Sequence, residues 1–221
     1  MFQPAERRQE SFLASTEKSI LISLARRTPS WINSDHLTIM GFLAQIAAGA
    51  AYAWSRWNRY GLLLVIAALA LNWLGDSLDG TLARYRQQQR PRYGFYVDHM
   101  VDSFGALALM GGLAFSGYMH RYIAAALLIA FLLLSIQSYL ATYTLGEFQL
   151  SFWKFGPTEL RLLLSIGNIA LFLRGPFAHL AGRAFRLFDI GGLIGAVGMA
   201  IMLIAVTVRN THRLYIEEPI R

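Results

Sequence analysis

Gly75 to Ser103 reads G-D-S-L-D-G-T-L-A-R-Y-R-Q-Q-Q-R-P-R-Y-G-F-Y-V-D-H-M-V-D-S, and this stretch decides how the rest of the chain is read. It holds four carboxylates, Asp76, Asp79, Asp98 and Asp102, of only 13 Asp and Glu in the whole chain. Asp76 and Asp79 close a long apolar run, and Asp98 and Asp102 open another. Their i,i+3 and i,i+4 spacings put each pair on one face of a helix. Two helices joined by the basic loop Tyr85 to Arg92 would gather all four at a membrane edge. Uncompensated, that much negative charge is costly there. Either part of it stays protonated, or a strong cation sits among it. Oxygen-only ligands point to a hard cation such as Mg²⁺, Mn²⁺ or Ca²⁺. The plain alternative is a polar rim on two membrane helices, but rims rarely carry four Asp in this register.

The surrounding composition supports the membrane reading. The 221 residues are 55% hydrophobic and 15% charged, against about 25% charged in soluble domains. Six apolar segments run approximately Asp35 to Trp54, Tyr60 to Tyr85, Tyr93 to Tyr118, Arg121 to Leu145, Pro157 to Leu173 and Asp189 to Val208. Each is near the roughly 20 residues that a helix needs to cross the hydrocarbon layer. The fifth is short enough to be re-entrant. Residues 5 to 27 carry Phe12, Leu13, Ile20, Leu21, Leu24 and Ala25 among Arg7, Arg8, Lys18, Arg26 and Arg27. That pattern fits an interfacial amphipathic helix, too charged to span. The expected fold is an all-α integral membrane protein with six transmembrane helices and an N-terminal interfacial helix. Residues 1–30 form the juxtamembrane segment and 31–221 one transmembrane domain.

There is no cysteine, which excludes disulfide and thiolate chemistry. The net charge of +7 comes from Lys and Arg beside the segments, and anionic lipid explains it better than nucleic acid. The first ten residues are too polar for a signal peptide. Thirteen Lys and Arg fall on the side holding the N-terminus, the carboxylate loop and the C-terminus, and six on the other. That asymmetry predicts a cytoplasmic site, on the expected bacterial inner membrane.

The same stretch resembles the signature of the CDP-alcohol phosphotransferase family, D-x-x-D-G-x-x-A-R, a spacer, then G-x-x-x-D-x-x-x-D. Asp76, Asp79, Gly80, Ala83, Arg84, Gly94, Asp98 and Asp102 meet it in order. The spacer after Arg84 is nine residues, one longer than the family pattern, and it falls where an insertion is cheap. Trp31 to Gly41, W-I-N-S-D-H-L-T-I-M-G, is similar to the family's first helix start, W-I-x-P-N-x-x-T-x-x-G, at Trp31, Ile32, Thr38 and Gly41. Ser34 and Asp35 stand where Pro and Asn are common, and either would cap the helix. The resemblance places Thr38 near the nucleotide. Elementary chemistry also allows its hydroxyl to bond its own backbone.

The resemblance implies an enzyme that cleaves a CDP-linked donor and releases CMP, usually as a homodimer. Two divalent cations, Mg²⁺ or Mn²⁺ with Ca²⁺ as a third candidate, would be held by Asp76, Asp79, Asp98 and Asp102. Gly80 and Ala83 are small where a nucleotide meets the helix, and Arg84 would hold a phosphate or orient a carboxylate. The donor is CDP-diacylglycerol with an alcohol acceptor, or a CDP-aminoalcohol with diacylglycerol as acceptor. Asp98-His99 and Gly156-Pro157-Thr158-Glu159 resemble the aminoalcohol branch, but Phe95 replaces the Glu that partners the His there. The acceptor's base is Asp102 or His99, and Asp102 holds the position usually given that role. Arg161, four residues into an apolar run, is a candidate for a lipid phosphate, a head group with Glu159 beside it, or an Asp of the cluster; it can also snorkel. Gly111 and Gly112 would permit close helix approach. His36, His120, His179 and His212 carry no assigned role. A divalent-cation channel or carrier is the alternative function, but it predicts carboxylates at several depths along a path.

Overall fold

A computed structural model describes residues 6–8, 14–149, 156–180 and 182–220. Seven helices follow one another: α1 (Ala14–Arg27), α2 (Ser34–Ser55), α3 (Gly61–Tyr85), α4 (Pro91–Ser116), α5 (Arg121–Leu145), α6 (Pro157–Arg174) and α7 (Leu187–Glu217). The six apolar segments correspond to α2 to α7. The last runs nine residues past the expected end at Val208.

Four of these helices, α2, α3, α5 and α7, are long and apolar enough to cross a membrane. The two others carry the polar residues: α4 includes Arg92, Asp98, His99 and Asp102, and α6 has only 18 residues, with Glu159 and Arg161 in its first half.

The described chain is all-α as expected, apart from two short strand pairs that the apolar pattern does not signal. Glu6–Arg8 (β1) pairs in parallel with Glu147–Gln149 (β2), so the helix expected from residue 5 begins only at Ala14. Phe12 and Leu13 lie outside the described residues. Phe177–Leu180 (β3) and Arg183–Arg186 (β4) form an antiparallel hairpin between α6 and α7. Pairing satisfies backbone N–H and C=O groups of the connecting segments, and apolar periodicity carries no signal for it. The cap of α2 is likewise neither Ser34 nor Asp35. Asn33 accepts from the His36 N–H at 3.1 Å, and His36 Nδ1 accepts from the Asn33 N–H at 3.2 Å. This reciprocal capping box gives His36 a role that sequence alone did not.

α2 is the centre of the bundle and packs against both α3 and α4. Glycines set how closely. A Cβ on Gly75 would stand 2.6 Å from the Gly41 nitrogen, and one on Gly112 would stand 1.9 Å from the Gly49 oxygen. Gly111 faces open space, so of the two expected contact glycines only Gly112 serves. Away from the carboxylates, Ala48, Tyr52, Leu62, Val65 and Leu113 form the main core. A second cluster docks α1: Leu21 and Ala25 bury against Leu37 of α2 and Leu78 and Leu82 of α3.

Candidate active site

Asp76 and Asp79 sit near the C-terminal end of α3, and Asp98 and Asp102 near the N-terminal end of α4. The connection between them is only Arg86 to Arg90, tight enough to keep both pairs at the same end of the bundle. Pro91 starts α4 at a position where its missing N–H costs nothing. Because α3 and α4 each pack against α2, both carboxylate pairs stand at the same end of that helix group.

Asp102 lies close enough to Asp76, Asp98 and Asp79 to feel the charge of each, with Arg161 as the opposing charge. Arg161 enters from α6. Its Nη2 meets Asp76 Oδ2 at 2.5 Å, and its Nε donates to Asn72 Oδ1 at 2.8 Å. Asn72 is fixed in turn, donating to the Gly41 carbonyl at 2.9 Å and toward Gln45 Oε1 at 3.4 Å. Beneath the carboxylates lies a polar layer of Gln45, Asn72 and Arg161. The pair is mostly shielded, with Arg161 14% and Asp76 26% exposed at the side chain. Removing either partner would leave the other charge poorly compensated.

Asp79 is held from two sides. Thr38 Oγ1 donates to its Oδ2 at 2.6 Å, and its Oδ1 accepts from the Gly80 backbone N–H. Thr38 also donates to the Ser34 carbonyl at 3.0 Å, so its hydroxyl is shared between its own helix and the neighbour. The close approach of Gly41 to Gly75 lets a Thr hydroxyl reach across. Arg84 folds back along α3: its Nη2 donates to Thr81 Oγ1 at 3.3 Å, and its guanidinium lies against Gly80, where a Cβ would meet it at 3.3 Å. Ala83 is half-buried beside it, and Gly94 is open.

His99 is one residue past Asp98 and turned aside. Its Nδ1 lies 2.5 Å from the Phe95 carbonyl oxygen. Its ring stacks on Phe95 with centroids 4.2 Å apart and meets Tyr139 of α5 edge-on at 4.7 Å. Glu159 is at the first turn of α6, where Oε2 accepts from the Gly156 N–H at 3.0 Å. Sequence reasoning missed Asn72, Gln45, Tyr139 and Glu17. Asn72 precedes Asp76 by one turn inside an apolar run, and that register is the signal that would have found it.

Four neighbouring carboxylates fit a hard divalent cation in kind. Among the described residues, no three His, Asp or Glu side chains converge as they stand. Asp76 is turned to Arg161 and Asp79 to Thr38. A family model for CDP-alcohol phosphatidyltransferase matches residues 31–210. The chain belongs to the CDP-alcohol phosphatidyltransferase family. The match takes in α2 to α6 and most of α7, and it contains all four Asp and Arg161. This is a family of membrane transferases acting on CDP-alcohols and using divalent metals. It gives a cation channel or carrier no support. No curated protein sequence matches the chain.

Proposed function

We propose that this CDP-alcohol phosphatidyltransferase family member is a phospholipid-synthesis enzyme that moves a phosphatidyl or phosphoalcohol group from a CDP-linked donor to a hydroxyl acceptor and releases CMP. The observation that carries the reading is the gathering of charge: Asp102 lies near Asp76, Asp79 and Asp98, with Arg161 opposing them, in a chain of this family. Two divalent cations held by Asp76, Asp79, Asp98 and Asp102, Mg²⁺ or Mn²⁺ with Ca²⁺ as a third candidate, would neutralise the carboxylates, clamp the pyrophosphate and stabilise charge on departing CMP.

The chain's own residues supply the rest. Gly80 and Ala83 are the small residues that a nucleotide would approach along α3, and Arg84, whose guanidinium lies against Gly80, is the proposed phosphate contact. Thr38 holds Asp79, and Arg161 holds Asp76, so each carboxylate has a partner of the chain's own. The acceptor oxygen attacks the phosphorus distal to cytidine. The bond from that phosphorus to the CMP oxygen breaks, and the acceptor proton passes to Asp102. His99 is the second candidate base, but its Nδ1 is taken by a backbone carbonyl and its ring is sandwiched. Glu159, on the first turn of α6, and Arg161, already paired with Asp76, are the proposed head-group contacts.

The same reading includes six membrane crossings, a juxtamembrane segment 1–30 before an enzymatic domain 31–221, a homodimer, and a cytoplasmic site in a bacterial inner membrane. The test is CMP release from CDP-diacylglycerol, CDP-choline and CDP-ethanolamine against a panel of alcohol and diacylglycerol acceptors. Release with one donor supports the reading and names the substrate. No release with any donor contradicts it.

A further inference from the structure

Glu17 is a carboxylate on α1, only 9% exposed, and it lies outside the residues the family model matches. Its Oε1 accepts three hydrogen bonds from two other helices. Trp73 Nε1 donates at 2.7 Å and Ser77 Oγ at 3.0 Å, both from α3, and Thr158 Oγ1 donates at 3.0 Å from α6. A buried carboxylate is retained only where donors compensate its desolvation, and here the donors come from the helices that build the site.

The placement closes a ring. Ser77 follows Asp76 directly, and Trp73 follows Asn72, so Glu17 holds the stripe of α3 beside the one Arg161 holds. Thr158 precedes Arg161 by three residues, one turn on α6. The two helices are therefore tied twice, once through Arg161 to Asp76 and Asn72 and once through Glu17. The rest of α1 is seated by Leu21 and Ala25, one and two turns beyond Glu17 on the same face.

We infer that Glu17 is a positioning residue of the site: by pinning the first turn of α6 to α3, it sets where Arg161 meets Asp76. It touches no substrate, and its influence runs through Arg161. As a statement about catalysis, this rests on the proposed function; as a statement about helix placement, it does not.

The test uses the full chain in nanodiscs. It has no native cysteine, so nitroxide labels go on Tyr85→Cys and Leu160→Cys, two exposed positions at the relevant ends of α3 and α6. Pulsed EPR should give one narrow distance with Glu17 and with Glu17→Gln, which keeps an acceptor oxygen. Glu17→Ala should broaden or shift it. In unlabelled protein, Glu17→Ala should lower kcat about tenfold and donor KM less than about twofold, with Glu17→Gln recovering most of the loss. In an Arg161→Lys background, Glu17→Ala should cost less than about threefold, because residues acting through one contact are not additive. An unchanged distance overturns the inference whatever the activity. A changed distance with the same kinetic cost in both backgrounds also overturns it, since Glu17 would then act on the fold alone. If the unsubstituted chain releases no CMP while the distance responds as expected, the proposed reaction falls and the placement of α6 by Glu17 stands.

Discussion

Asp102 and His99 differ in what surrounds them, and that difference ranks them as bases. Asp102 lies near Asp98 on its own helix, Asp76 and Asp79 on α3, and Arg161 on α6. His99 is occupied at Nδ1 and packed between Phe95 and Tyr139. A positioned base is worth about 10²- to 10⁴-fold. Asp102→Asn should therefore lower kcat at least about 100-fold while CDP-donor binding, read by equilibrium dialysis, persists. His99→Ala should cost less than about tenfold, as loss of packing rather than of a proton acceptor. The reverse ranking would move the role to His99. Thr38 offers a second residue-level check. Its hydroxyl is the side-chain donor to Asp79 Oδ2, so Thr38→Val should cut turnover about tenfold and Thr38→Ser should restore most of it. The four Asp were legible in the sequence because carboxylates clustered at helical spacing beside apolar runs are costly unless something compensates them. Asn72, Gln45 and Glu17 were not. A single polar residue in or beside an apolar run reads the same whether it faces a partner helix or a membrane surface.

At the scale of elements, the site depends on how close α2 comes to its two neighbours. Gly112 sits where a methyl would collide with the Gly49 carbonyl, whereas Gly111, one residue earlier, faces open space. Gly112→Ala should destabilise the protein by about 1–3 kcal/mol through overpacking, and Gly111→Ala should stay within about 0.5 kcal/mol. Thermal unfolding in one detergent separates them, and equal midpoints would show that α2 and α4 do not meet as described. The apolar helices were legible to within about two residues, except for the far end of α7, since long apolar runs leave no other way to satisfy the backbone in lipid. The two small strand pairs were not, because short polar connections lack the alternation that marks a strand. The α2 cap shifted to Asn33 because cap choice depends on which side chain meets the N3 nitrogen, and Asn33, Ser34 and Asp35 are all competent.

For the whole molecule, the charge asymmetry sets the expected orientation. The short loop between α3 and α4 carries Arg86 and Arg90, and Arg86 ties it to the connection between α1 and α2, donating to the carbonyls of Thr28 and Pro29 at 2.9 Å and of Ile32 at 2.5 Å. Arg90 pairs with Asp35 and stacks over Tyr93 at 4.2 Å. With thirteen Lys and Arg on this side against six on the other, the loop should face the cytoplasm. A lone cysteine at the exposed Gln88 should resist an impermeant maleimide in intact cells and react after permeabilisation. Labelling of intact cells would reverse the topology.

The most direct measurement of the central claim is CMP release as a function of added Mg²⁺ or Mn²⁺, for the unsubstituted chain and for Asn at Asp76, Asp79 and Asp98 in turn. The four-carboxylate site predicts no release in excess chelator, saturable recovery on adding metal, and losses of at least about 100-fold in each folded variant, since oriented charge in a shielded site is worth that much. Full activity in excess chelator, or near-native turnover with any of these carboxylates removed, would contradict it.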